Sequence, residues 1–180
     1  EEHERMAKMV GDMLFLAQAD NKLLKPEFIA INLAAEVQSL FDYFEAWAEE
    51  RMVRLILVGR GIEVLGDRLM IRRALSNLLS NSIRNTPKSG TVTVSVSSTP
   101  DKVVLRVENP ASAILPEHLP HLFERFYRPD ASRQRSGEGA GLGLAIVKSI
   151  VEAHGGSINA STSDNLITFE ITLPTPMHLG

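Results

Sequence analysis

The chain of 180 residues predicts an α+β fold: a two-layer α/β sandwich in which helices cover one face of a mixed sheet, preceded by a single helix. Three observations carry that expectation. Strand and helix patterns follow an opening helix in the order βαββαββ, an irregular stretch, then αββ. Residues 91–98 and 102–108 alternate as half-buried strands around Thr99-Pro100-Asp101, a turn signal. The apolar share, 44%, is ample for a packed core and excludes disorder.

Within residues 1–22, Met6, Val10, Met13 and Ala17 recur at intervals of four, three and four, and Met9, Leu14 and Leu16 widen the stripe. The near-heptad spacing suits a bundle seam and a helix packed on its own domain equally well. Asp20-Asn21 and Lys25-Pro26 close the helix and make a linker. The chain opens on Glu1-Glu2-His3-Glu4, without Met or leader, and reads as a piece cut from a longer protein inside a helix.

Residues 28–33 read as a short strand, and 34–50 as a helix with Val37, Leu40, Phe41, Phe44 and Trp47 on one side. Residues 53–58 and 62–65 read as strands of a hairpin around Gly59-Arg60-Gly61, and all strands are expected in one sheet. Asp67 is a capping residue for a helix to about Arg84, stopped by Thr86-Pro87. Residues 110–140 lack a sustained period and suit a lid. A helix over 141–154, stopped by Gly155-Gly156, and strands at 157–161 and 167–173 complete the chain.

The net charge of −3 gives no support to a nucleic-acid partner. Cysteine is absent, which excludes disulfides and thiolate metal sites. No apolar run approaches the roughly 18–20 residues a membrane span needs.

Two segments carry chemistry. Arg73, Asn77, Asn81 and Arg84 stand at offsets 0, 4, 8 and 11 and share one helical face, with Leu75, Leu78, Leu79 and Ile83 turned to the core. Asn is a middling helix former, and its amide oxygen is a hard, neutral ligand suited to Mg²⁺. By itself that face suits plain solvation as well. Gly139, Gly141 and Gly143 alternate ahead of an apolar helix, where missing Cβ atoms leave backbone N–H groups and a positive helix end open to phosphate. No Gly-Lys-Ser/Thr follows, so this is not a Walker A loop.

Here the chain resembles the sensor histidine kinases. Asn77-x-x-x-Asn81 is similar to their N box and Val107-Glu-Asn109-Pro-Ala-Ser-Ala-Ile114 stands at their G1 box. Leu122-Phe-Glu-Arg-Phe-Tyr-Arg128 is similar to their F box, and Gly137 to Gly143 to their G2 box. The wording of Val107–Pro110, Pro116–Pro120, Arg125–Pro129 and Ser136–Gly139 resembles the copper- and silver-responsive branch of Gram-negative bacteria.

The resemblance implies a Bergerat-type ATP-binding fold, with 1–24 the remnant of a dimerisation helix, 25–30 a linker and 31–180 the catalytic domain, its lid at about 110–140. It implies ATP and Mg²⁺ as ligands and transfer of the γ-phosphoryl to a histidine on an absent dimerisation segment. A response regulator and a homodimer of the full-length protein are its implied partners, and its implied place is the cytoplasmic part of a bacterial inner-membrane protein.

Residue by residue, Asn81 would hold Mg²⁺ with Asn77 in or beside its shell, and Arg84 would meet phosphate. Arg128 would stabilise charge developing on the γ-phosphate. Gly139, Gly141, Leu142, Gly143 and Leu144 would wrap the phosphates. Asn109, Ile114 and Thr168 would lie at the adenine, while Phe123 and Phe126 anchor the lid. Asn109 replaces the family's Asp, Ala111 and Ala113 its glycines, and Asn85 an aromatic common beside the base. None of His3, His118, His121, His154 and His178 stands in the phospho-acceptor motif; the last four read as surface or loop residues. Two alternatives stay open: a nucleotide-gated scaffold with weak catalysis, and a related ATPase of the same fold.

Overall fold

The computed structural model describes residues 1–111, 114–129 and 140–176. Helix α1 (Glu2–Asp20) leads, through an extended linker, to strand β1 (Ile29–Asn32) and helix α2 (Leu33–Glu50). Asn32 caps α2 by accepting from the Ala35 N–H at 3.1 Å. The anticipated apolar face is buried at Val37, Leu40, Phe41 and Phe44, with Trp47 half-buried. Strands β2 (Arg54–Val58) and β3 (Glu63–Gly66) precede helix α3 (Arg68–Asn85), whose cap Asp67 accepts from the Met70 N–H. Strands β4 (Thr91–Ser98) and β5 (Lys102–Pro110) follow, then a 3₁₀ turn over Pro116–His121. Helix α4 (Gly143–Ala153) and strands β6 (Ser157–Ser163) and β7 (Leu166–Pro174) close the fold.

Five strands form a mixed sheet in the order β2-β4-β5-β7-β6, in which only β2 and β4 run parallel. Alternate residues of β4, β5 and β7, among them Val94, Val107 and Phe169, face the helices and are almost fully buried. The two-layer α+β architecture is therefore as expected.

The single sheet and its hairpin are not. β3 pairs antiparallel with β1 in a separate two-stranded sheet, while β2 pairs in parallel with β4. The chain passes between the sheets at Gly59, whose φ of 120° is open to glycine, with Val96 O 2.3 Å from where a Cβ would stand. The β3 end is then pinned to the start of α2 by the Leu33 N–H on Ile62 O at 3.0 Å. Two short strands around a glycine turn look like a hairpin until such non-local bonds choose their partners.

Two further ties set the helical layer. Buried Glu36 of α2 pairs with Arg68 at 2.8 Å and Arg72 at 3.3 Å, locking α2 to the first turns of α3. His154, expected at the surface, is 3% exposed at the end of α4. Its Nε2 accepts from the Asp67 N–H at 3.0 Å and its Nδ1 lies 2.7 Å from Ile150 O, so the ring is neutral with its proton on Nδ1. The imidazole thus joins the end of α4 to the start of α3.

Candidate nucleotide site

That junction fixes the geometry of the site. Starting from Asp67 and His154, α3 and α4 run in opposite directions, so ten or eleven residues further along, Asn77 meets Gly143. The Asn77 Nδ2 donates to Gly143 O at 3.2 Å. At 1.5 Å per residue the two ties lie about 15 Å apart, enough to fix the helices as a rigid pair. The asparagine face of α3 and the glycine-led end of α4 therefore adjoin.

The N-terminus of α4 is built to leave donors open. Its capping position is Leu142, which makes no side-chain bond to the first-turn N–H groups. Gly141 adopts φ of 75°, and a Cβ there would lie 3.0 Å from the Phe126 backbone. The Phe126 N–H donates to Gly141 O at 2.9 Å, which brings the 122–128 segment, Arg128 included, beside the glycines. Gly139 lies outside the described residues.

On α3, Asn81 is half-buried and its Oδ1 receives the Asn85 Nδ2 at 3.1 Å. From the end of α2, Arg51 reaches across to donate to Ile83 O at 3.3 Å and Arg84 O at 2.8 Å, holding the last turn of α3. Arg73 goes elsewhere: it pairs with Asp12 of α1 at 2.7 Å and stacks over Phe15, 4.5 Å from the ring centroid. The shared face read from spacing thus splits, with Arg73 serving α1 and Asn77 meeting α4.

Asn109 is 1% exposed and pairs with Ile167 on the helix-covered face of the sheet. Its Nδ2 donates to Pro110 O at 2.9 Å, while its Oδ1 is a buried acceptor without a hydrogen bond. Thr168 is one residue out of phase: it pairs with Glu108 and so stands on the opposite face, away from Asn109. The structure does not bring Thr168 to the others. Leu142 is a core side chain, 1% exposed, so only its backbone can serve a ligand. Ile114 and Leu144 are half-buried against the core. Phe123 packs edge-on against Phe169, whereas Phe126 is 56% exposed with φ of 63°.

The roles of Arg51, Asn85 and His154 escaped the spacing argument. Each depends on a partner, or a rotamer, that periodicity does not encode.

The donor set fits a metal-bound nucleotide. An orphaned acceptor, uncapped helix N–H groups and neutral amide oxygens match an exocyclic amine, phosphate and a hard cation respectively. Among the described residues no group of three or more His, Asp or Glu is placed to hold a metal alone. No helix there is long and apolar enough to cross a membrane.

Residues 66–177 match the family described as histidine kinase-, DNA gyrase B- and HSP90-like ATPase. The chain is 58% identical over 174 residues to the sensor histidine kinase CusS of Escherichia coli K12, covering 97% of this chain and 36% of CusS. It is 47% identical over 178 residues to the probable sensor kinase SilS of Salmonella typhimurium, covering 97% of this chain and 36% of SilS. It thus spans 36% of the length of these curated relatives. Histidine kinase AdeS of Acinetobacter baumannii superposes with a TM-score of 0.82 over 96% of this chain and 80% of that one, at 24% identity, a likeness of fold.

Proposed function

The chain belongs to the histidine kinase-, DNA gyrase B- and HSP90-like ATPase family, and from that premise we propose that it is the ATP- and Mg²⁺-binding catalytic domain of a two-component sensor histidine kinase. It passes the γ-phosphoryl of ATP to a histidine on a separate dimerisation segment. The observation that carries this reading is the Asn77–Gly143 bond, which joins the two phosphate-facing elements.

Asn81 holds Mg²⁺ through its amide oxygen, and Asn77 stands beside it as the clasp to α4. Bound Mg²⁺ neutralises phosphate charge and orients the triphosphate. The α4 N-terminus, with the backbone of Gly139, Gly141, Leu142, Gly143 and Leu144, receives the phosphates. Arg84 contributes charge from α3 and Arg128 meets the charge that develops in transfer. Buried Asn109 accepts from the adenine amino group, and Ile114 lines the base side. Thr168 is not part of this site.

Residues 1–24 belong to a dimerisation helix that forms a homodimer bundle in the full-length protein, a linker follows, and the catalytic unit begins at strand β1, since Ile29 and Ala30 already pair with β3. The phosphoryl passes on to a response regulator. The domain works on the cytoplasmic side of a bacterial inner-membrane protein whose sensed signal is copper or silver.

The test supplies a dimerisation segment carrying its acceptor histidine, with ATP and Mg²⁺, and follows phosphohistidine. Transfer is expected, and Asn81→Ala reduces it at least about tenfold through lost metal. Absence of nucleotide binding overturns the reading. Binding without transfer favours the nucleotide-gated scaffold, for which the neutral Asn109 is the supporting observation.

A further inference from the structure

We propose that Asn85 is a positioning residue that holds the amide of Asn81 with its oxygen, rather than its nitrogen, presented to the metal; this rests on the proposed Mg²⁺-nucleotide site. Asn85 lies one helical turn beyond Asn81 and is exposed at the end of α3. One nitrogen of its amide donates twice, to Asn81 O at 2.8 Å and to Asn81 Oδ1 at 3.1 Å.

The first of these bonds determines the second. A backbone carbonyl only accepts, so the Asn85 atom meeting it is Nδ2. That same nitrogen then requires an acceptor from the Asn81 side chain, which is Oδ1. The two ends of an amide have nearly the same shape, and nothing steric separates the rotamer that offers oxygen from the one that offers N–H groups. A cation binds the first and is repelled by the second. Asn85 sorts them before metal arrives, and since an amide oxygen has two lone pairs, the one it does not engage remains for the metal.

Both of these bonds go to Asn81, so what they contribute to the site runs through Asn81. A second layer of hydrogen bonds around metal ligands commonly acts in this way. Losing this one bond lowers metal affinity roughly three- to tenfold.

The experiment titrates ADP calorimetrically with Mg²⁺ and with EDTA, into the wild-type chain and into Asn85→Leu and Asn85→Asp. The wild type binds ADP more tightly with Mg²⁺, and absence of that gain refutes the site itself, not the role of Asn85 alone. Asn85→Leu, similar in size but without donors, loses three- to tenfold of the metal-dependent gain and keeps its affinity in EDTA. Asn85→Asp loses more, because a carboxylate draws the Asn81 Nδ2 towards it and turns the oxygen away. Simple attraction between a new negative charge and Mg²⁺ predicts the reverse order, and that order overturns the proposal. An equal loss with and without metal, as contact with the base gives, overturns it too. The Asn81 side-chain amide resonances in nitrogen-15 spectra supply a readout without nucleotide: they shift in both variants if Asn85 orients that amide, and stay in place if it does not.

Discussion

Asp67 shows how one side chain can serve two segments. Its carboxylate accepts from the Met70 N–H at 3.1 Å, capping α3, and from the Glu27 N–H at 3.0 Å, holding the linker. Burial raises its pKa, but the hydrogen bonds from the Glu27, Met70 and Leu69 N–H groups outweigh that, leaving it below the ordinary value. A depressed folded pKa means stability present in full above about pH 3.9 and lost as pH falls through the folded value. Asp67→Asn keeps a cap acceptor but drops the charge at the helix N-terminus. The variant should be less stable than the wild type at neutral pH by roughly 0.3–1 kcal/mol. Urea midpoints along a pH series should show that gap closing below about pH 3.9. The cap Asp67 was legible because a polar residue ahead of an apolar period has few other uses, whereas the cap Asn32 lay inside what read as a strand. His154 was not: its neutral, doubly bonded state comes from a backbone N–H 87 residues away in the chain.

At the scale of elements, α3 and α4 carry the site and Gly141 shapes the entry to it. Its φ of 75° and the 3.0 Å approach of Phe126 to a would-be Cβ leave no relaxed place for a side chain. Gly141→Ala is expected to cost about 1–3 kcal/mol and to weaken ADP binding, as urea denaturation with and without ADP measures. Loss of binding with unchanged stability would instead place the added methyl in the phosphate path, without strain. The period of 3.6 was enough to set Asn77, Asn81 and Arg84 along one side of a helix. It did not foresee that Arg73 turns to α1, because a shared face says nothing about which neighbour occupies each turn. Strand alternation likewise separates Thr168 from Asn109, a one-residue difference that motif matching passed over.

In the whole molecule, α1 presents two sides. Leu16 is 1% exposed against the domain, and the pairs Asp12–Arg73 and Asp20–Arg125 flank it. The Asp20–Arg125 pair is solvent-exposed and contributes at most about 1 kcal/mol, so Leu16 dominates the docking. The stripe of Met6, Val10 and Met13 remains about half exposed, at 57%, 52% and 48%. Leu16→Ala should therefore cost about 2–5 kcal/mol of docking, seen in hydrogen exchange as lost protection in α1 while β5 and β7 keep theirs. Equal loss in both would mean that α1 is integral to the core. The amino-acid order alone settled the helix and strand periods, the Asp67 cap and the placing of the amide pair on one helix, since each depends on residues within a turn or two. Pairing of β2 with β4, the neutral ring of His154, the diversion of Arg73 and the approach of Asn77 to Gly143 were decided by folding in three dimensions. Each of those needs a partner distant in the chain, and backbone donors and acceptors are the same at every position until packing brings particular ones together.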